Sequence, residues 1–153
     1  HCESSAASDV YKRQNLGKAE AKLITGGDRF SINDSDAFIQ PTIFADVSED
    51  ATIARDEIFG PVLAIQTFDT EDEAIKMANK SVYGLAASVW TSDLARAMDF
   101  SDKLHVGTVS VNTVDALSAM TPFGGMKQSG FGRDLSIHSF DKYTALKTIW
   151  VKY

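Results

Sequence analysis

A carboxylate and an aromatic ring stand two residues apart, at Glu57 and Phe59, directly before the rigid turn Gly60-Pro61. A carboxylate fixed before such a turn can accept hydrogen bonds from two adjacent ribose hydroxyls, as acidic residues do in dinucleotide sites. The nearby aromatic ring could pack against a nicotinamide. The alternative is a solvated carboxylate in the acidic pair that Glu57 forms with Asp56, and the short string alone leaves both interpretations open.

The histidines and the cysteine do not form a metal-binding pattern. His1, His105 and His138 are too scattered for a ligand set, and the sequence has no HxxxH or CxxC motif. Cys2 is the one cysteine, so an internal disulfide is not possible. This usage fits a reducing compartment, and we expect a cytoplasmic protein without a metal.

Charge and hydropathy argue against two further classes of partner. The chain of 153 residues carries a formal net charge of -6. An acidic surface repels phosphate backbones, so nucleic acid is not an expected partner. The apolar runs are much shorter than the ~20 residues that a membrane-spanning helix needs, so no membrane partner is expected.

The elements that would position a site follow a regular order after Pro61. Apolar and β-branched runs predict strands at 62–68, 86–90 and 108–112. Helical patterns lie between them, the first opened by a Thr70–Glu73 capping box and the second capped by Ser92. Both helices have the length of a crossover, so the strands should be parallel. The predicted fold class is α/β, with a parallel sheet built from βαβαβ units.

A glycine-rich, irregular stretch at 113–136 leaves the carboxyl end of the third predicted strand. Ligands of open parallel sheets bind beyond that end, and long irregular loops in compact domains are usually functional. After this loop, residues 144–151 alternate and include several β-branched side chains, which predicts a last strand with no helix after it.

The first fourteen residues differ from the rest of the chain. They are small and polar, and they show no hydrophobic period. We interpret residues 1–14 as a non-native or disordered leader, with a native but divergent helix as the alternative.

Two strings connect these features to a known family. Residues 55–62 read RDEIFGPV and residues 121–134 read TPFGGMKQSGFGRD. With shorter matches in the same order, including those at 83–86 and 107–112, they resemble the NAD(P)-dependent aldehyde dehydrogenase superfamily from about residue 16 onward. The resemblance implies a partial catalytic domain over 15–143 and an oligomerisation strand over 144–153.

The same resemblance assigns roles to five side chains. Glu57 would contact the nicotinamide ribose, and Phe59 would flank the nicotinamide of NAD or NADP. Asp115, Leu117 and Phe123 would line the tunnel for a small-molecule aldehyde. The last strand would pair with a neighbouring subunit, which implies a homo-oligomer, a dimer or a tetramer, for the full-length protein.

The family reaction oxidises an aldehyde to an acid through a cysteine thiohemiacetal, from which hydride passes to NAD(P)+. The motifs of the nucleophilic cysteine and the general-base glutamate lie upstream of this stretch in the family, and Cys2 has neither the neighbours nor the spacing of the nucleophile. We therefore expect no catalytic residue here, and a fragment inactive alone. Its ending most resembles the branch that oxidises γ-glutamylaminobutyraldehyde and related aminoaldehydes of polyamine breakdown, with betaine aldehyde as the alternative substrate. The competing interpretation is a non-catalytic binding or oligomerisation module.

Overall fold

The computed structural model describes residues 5–33, 35–114 and 116–153. Its contacts divide the chain into two compact units, His1–Glu71 and Asp72–Tyr153. Each unit combines helices with strands, and each contains one parallel pair of strands. The predicted α/β class with parallel strands is confirmed.

The first unit is organised around a short central strand. Its elements are α1 (Ser5–Glu20), β1 (Lys22–Thr25), β2 (Arg29–Ile32), β3 (Ser35–Ile39), β4 (Thr42–Ala45), α2 (Thr52–Arg55) and β5 (Val62–Ala64). β4 pairs with β1 on one side in antiparallel fashion and with β5 on the other in parallel, whereas β2 and β3 form a separate antiparallel pair. Two neighbours satisfy the backbone of β4, which places it at the centre of this unit.

The core of the first unit forms around the fully buried ring of Phe44, on β4. Val47, Ala51 and Ile53 join it, and each is at most 6% exposed. Helix α1 lies against this ring through Gly17, where an added Cβ would come within 2.6 Å of Phe44 Cζ. A glycine is therefore needed for the helix to lie this close to the core.

The second unit contains the second of the two predicted crossovers. Its elements are α3 (Glu71–Lys80), β6 (Tyr83–Gly84), β7 (Ala86–Val89), α4 (Leu94–Lys103), β8 (Thr108–Val111), β9 (Met126–Lys127) and a 3₁₀-helix (Ile137–Lys142). β7 and β8 are parallel and in register over four residue pairs, as the sequence predicts, and β6 pairs with β9. α3 begins directly after Thr70, but α4 is capped by Asp93, whose carboxylate accepts from the amide of Arg96, so the prediction of Ser92 as the cap is wrong.

The predicted βαβαβ unit is divided between two sheets. β5 pairs with β4, whereas β7 pairs with β8 in a separate sheet. β5 also ends at Ala64, earlier than the expected 68, although the amide of Ile65 still donates to Phe44 O at 2.9 Å. An upstream strand thus supplies the parallel neighbour of β5, a pairing that the local pattern does not reveal.

The two ends of the chain also differ from expectation. Helix α1 runs through residues 5–14, with Val10 and Gln14 buried, so the described part of the expected leader is helical rather than disordered. Its foreign origin stays a prediction. Residues 144–151 form no strand in this chain, because none of the strands described here pairs with them. Their role in oligomerisation also stays a prediction.

Candidate functional site

The first candidate residues lie on the turn that follows α2. The backbone leaves the helix at Asp56, which has an extended conformation with φ -88° and ψ 138°. Ile58 is half-buried and packs against the core, whereas Glu57 and Phe59 on either side of it are exposed. Phe59 is 90% exposed and has φ 35°, in the left-handed region that L-residues rarely adopt. The turn is thus anchored through one apolar side chain and presents a carboxylate and a ring to solvent.

Backbone hydrogen bonds and one glycine hold this turn against the rest of the unit. The amide of Thr42 donates to Pro61 O at 2.8 Å, and the amide of Val62 donates to Gly60 O at 2.7 Å. An added Cβ on Gly60 would lie 2.8 Å from both γ-carbons of Val10, on α1. The glycine therefore permits a contact between the turn and the first helix that a larger residue would obstruct.

Helix α1 supports the turn by a second contact that the sequence did not indicate. Arg13 Nη1 lies 3.0 Å from a carboxylate oxygen of Asp56, and its Nε lies 3.1 Å from Asp9 on the same helix. Such partly exposed ion pairs contribute at most about 1 kcal/mol, so this pair orients Asp56 more than it stabilises the fold. Residues 1–14 have no hydrophobic periodicity, so the sequence offered no basis for predicting these contacts.

A glutamate from α1 also caps the short helix before the turn. Glu20 accepts hydrogen bonds from Thr52 Oγ1 at 2.7 Å and from the Thr52 amide at 2.8 Å. These hydrogen bonds, that from the Thr52 hydroxyl first, lower the pKa of Glu20 from its ordinary value. Because Ala51, at the N-cap, makes no side-chain cap bond, Glu20 supplies the cap from a distant part of the sequence.

The second candidate residues border a cavity of about 420 Å³ in the second unit. Its lining consists of Ala86, Ala87, Ser88, Thr108, Ser110, Val114, Ala116, Leu117 and Phe123. Leu117 is 53% exposed and Phe123 is half-buried. The structure thus brings Leu117 and Phe123 together over β7 and β8, while Asp115 lies outside the described residues, as does Cys2.

The glycine-rich loop that carries Phe123 is held by its own backbone. Phe123 and Asp134 exchange two backbone hydrogen bonds, of 2.9 and 2.7 Å. Further along, Lys127 Nζ donates to the carbonyl oxygens of Asn79 and Ser81, both at 2.9 Å, at the end of α3. These contacts hold the loop backbone that carries Phe123 to the cavity.

Two features are absent from the residues that the structure describes. No group of three or more histidine, cysteine, aspartate or glutamate side chains in this part of the chain could hold a metal ion. None of the described helices is both long enough and apolar enough to cross a bilayer.

Comparison with known proteins identifies relatives over nearly the whole chain. Betaine aldehyde dehydrogenase 1 of Rhizobium meliloti is 47% identical over 151 residues, which cover 97% of this chain and 31% of the relative. The NADP/NAD-dependent aldehyde dehydrogenase PuuC of Escherichia coli is 45% identical and matches 95% of this chain and 29% of its own length. The solved structure of γ-glutamyl-γ-aminobutyraldehyde dehydrogenase from Burkholderia cenocepacia is 47% identical, with a TM-score of 0.90 over 95% of this chain and 29% of that one.

These matches leave most of each relative without a counterpart. The chain spans about three tenths of the length of the curated relatives it matches. Within the chain, however, the match is close to complete, since the family model for the aldehyde dehydrogenase family covers residues 2–149. The chain therefore belongs to the aldehyde dehydrogenase family.

Proposed function

We propose that this chain forms part of an enzyme that oxidises an aldehyde to a carboxylic acid with NAD(P)+. The observation that carries the proposal is the turn at Glu57 and Phe59, where a carboxylate and an aromatic ring two residues apart are both exposed. Phe59 has a backbone conformation that an aromatic residue rarely adopts. Strain of this kind persists where surrounding structure enforces it, and it clusters at functional sites.

The residues of the turn fit a nicotinamide nucleotide. Glu57 has a free carboxylate edge for two ribose hydroxyls, and the 90% exposed ring of Phe59 has a face available for a nicotinamide. The bound nucleotide would supply the hydride acceptor for the oxidation. The turn of this chain would orient the nicotinamide ring. Correct placement of reacting groups can lower the activation free energy by about 7–11 kcal/mol in favourable cases.

We propose that Leu117 and Phe123 form the walls of the aldehyde-binding site. We also propose that Asp115 favours aldehydes that carry an amino or ammonium group at the end far from the carbonyl. The cavity bordered by the first two side chains supports this assignment. The substrate would be an aminoaldehyde of polyamine breakdown, with betaine aldehyde as the alternative. The name of the Burkholderia relative, a γ-glutamyl-γ-aminobutyraldehyde dehydrogenase, favours an aminoaldehyde, and that of the Rhizobium relative favours betaine aldehyde.

We also propose that the complete enzyme is a homo-oligomer in which residues 144–153 pair with a second subunit. Large apolar side chains in this segment are strongly exposed, among them Leu146, Ile149 and Trp150. Exposed apolar residues in a segment with alternating pattern favour association with another strand.

The test of the cofactor assignment is Glu57→Gln in the complete enzyme that carries this chain. We expect kcat to fall about ten- to a hundredfold, because a displaced nicotinamide reacts slowly, while the Kd for NAD(P)+ rises much less. NAD(P)H formation measured by absorbance gives kcat, and fluorescence titration gives the Kd.

Asp46→Asn is the matched control, since it neutralises an exposed carboxylate of the same unit at a position with φ 54° that asparagine tolerates. An unchanged kcat in Glu57→Gln would refute the assigned role. A complete protein that forms no NAD(P)H with any aldehyde would instead favour the non-catalytic module.

A further inference from the structure

Strand β8 ends at an asparagine whose backbone turns the chain away from the sheet. The last residue of the strand, Val111, pairs with Val89 of β7. The amide of Asn112 still donates to Val89 O at 2.8 Å, so Asn112 occupies the next position of the parallel ladder. Its φ is 54°, a left-handed conformation that strands do not use and that asparagine tolerates better than most residues. The chain therefore leaves the sheet at this residue.

The side chain of Asn112 makes the two hydrogen bonds that the departing backbone gives up. In a continued ladder the amide of Thr91 would donate to the carbonyl of Asn112, and the carbonyl of Thr91 would accept from the amide of Val114. Instead the Thr91 amide donates to Asn112 Oδ1 at 2.9 Å, and Asn112 Nδ2 donates to Thr91 O at 2.8 Å. A carboxamide presents the same donor and acceptor as a peptide unit. The end of β7 thus keeps its hydrogen bonds while the backbone after Asn112 turns.

The partner of this bridge is itself fixed. Thr91 Oγ1 accepts from the amide of Asp93 at 3.1 Å. The carboxylate of Asp93 in turn accepts from the amide of Arg96 and caps α4. The bridge between Asn112 and Thr91 therefore ties the start of the following loop to the junction of β7 and α4.

The loop that follows borders the cavity before it is held a second time. We call residues 113–114 and 116–121 the wall segment. Its residues at the cavity are Val114, Ala116 and Leu117. Beyond them the carbonyl of Ala119 accepts from the amide of Ser136 at 2.9 Å. The residues at the cavity lie between these two attachments, so their positions depend on both.

We infer that Asn112 is a positioning residue for the aldehyde substrate, because its bridge to Thr91 sets where the wall segment meets the cavity. The inference rests on the proposed function, which takes Leu117 as a wall of the aldehyde-binding site. It adds that selectivity for the length of the aldehyde depends on a residue that acts through the wall segment. A long aldehyde buries more apolar surface against the wall than a short one, so displacement of the wall weakens its binding more.

The experiment compares hexanal with acetaldehyde in the complete enzyme that carries this chain. Asn112→Gly permits the left-handed backbone but removes the amide, so we expect the KM for hexanal to rise about five- to tenfold. The KM for acetaldehyde and the kcat for both aldehydes should change by less than about twofold. Asn112→Asp keeps an acceptor for the Thr91 amide but loses the donor, so it should recover part of the loss. The control is Asn33→Gly, which changes an asparagine with φ 48° in the first unit and should leave both KM values unchanged.

Binding of hexanoate, the product of hexanal oxidation, gives a readout that does not depend on turnover when it is measured by saturation-transfer NMR. Binding that weakens in Asn112→Gly but not in Asn33→Gly supports the inference even if no aldehyde is oxidised, in which case the proposed function alone fails. Equal rises in KM for both aldehydes would indicate general damage to the fold and would overturn the inference. Unchanged KM values in Asn112→Gly, or a change of the same size in Asn33→Gly, would also overturn it.

Discussion

Replacement of Phe59 by glycine should stabilise the fold while it weakens the enzyme. The ring is 90% exposed, so almost no apolar burial is lost when it is removed. The φ of 35° costs a residue with a Cβ about 1–2 kcal/mol, and glycine avoids that cost. Glycine has more conformational freedom to lose on folding, which offsets about 0.5–1 kcal/mol of the gain. The net change in the free energy of unfolding is therefore about 0–1.5 kcal/mol in favour of Phe59→Gly.

The matched variant is Phe59→Ala, which removes the ring but keeps the Cβ and hence the backbone strain. Its unfolding free energy should lie within about 0.5 kcal/mol of the unmodified protein, as for most surface substitutions. Urea denaturation followed by circular dichroism measures all three proteins under the same conditions. Both variants should lose turnover of the aldehyde to a similar degree, because both lack the ring that would flank the nicotinamide.

Two results would contradict this reasoning. If Phe59→Ala is destabilised by more than about 1 kcal/mol, the ring packs against the protein and is not held out for a cofactor. If Phe59→Gly is less stable than Phe59→Ala, the conformation at this position is not strained for a residue with a Cβ.

Three further predictions concern other parts of the structure. In the complete enzyme, Asp115→Asn should lower kcat/KM for an aminoaldehyde about five- to tenfold relative to a neutral aldehyde of equal length, and equal losses for both would make Asp115 structural. Gly107→Ala would bring a Cβ into the carbonyl oxygen of Gly124, so we expect the free energy of unfolding, measured by urea denaturation, to fall by about 3 kcal/mol. The control is Gly130→Ala, whose Cβ would meet no atom within 4 Å but whose φ is 108°. It should lower the free energy of unfolding by about 1–2 kcal/mol. Because the folded pKa of Glu20 lies below its ordinary 4.5, its cap should stabilise the fold above pH 4.5 and fade as the pH falls through the folded value. The stability difference between the unmodified protein and Glu20→Gln should therefore vanish in acid, and a difference that persists there would contradict the capping role.

The sequence by itself determined the features that depend on neighbouring residues. The capping box at Thr70 predicts the start of α3, because a cap and the first turn of its helix are adjacent in sequence. Local hydrophobic periodicity predicts β7 and β8, and the length of the helix between them predicts that they are parallel. The sequence also identified the family, because each of its two motifs, around Glu57 and around Phe123, is an uninterrupted run of residues.

Tertiary structure decided the features that join distant segments. The parallel pairing of β4 with β5 joins segments that are distant in sequence, and so does the cavity that Thr108 and Ser110 line together with the loop residue Phe123. Helix α1 came to support the turn at Glu57, although residues 1–14 carry no periodic pattern. None of these contacts has a local signature, because each depends on which surfaces pack together once the chain has collapsed. The unusual φ of Phe59 has the same origin, since only a fold that anchors Ile58 and Pro61 on either side can hold an aromatic residue there.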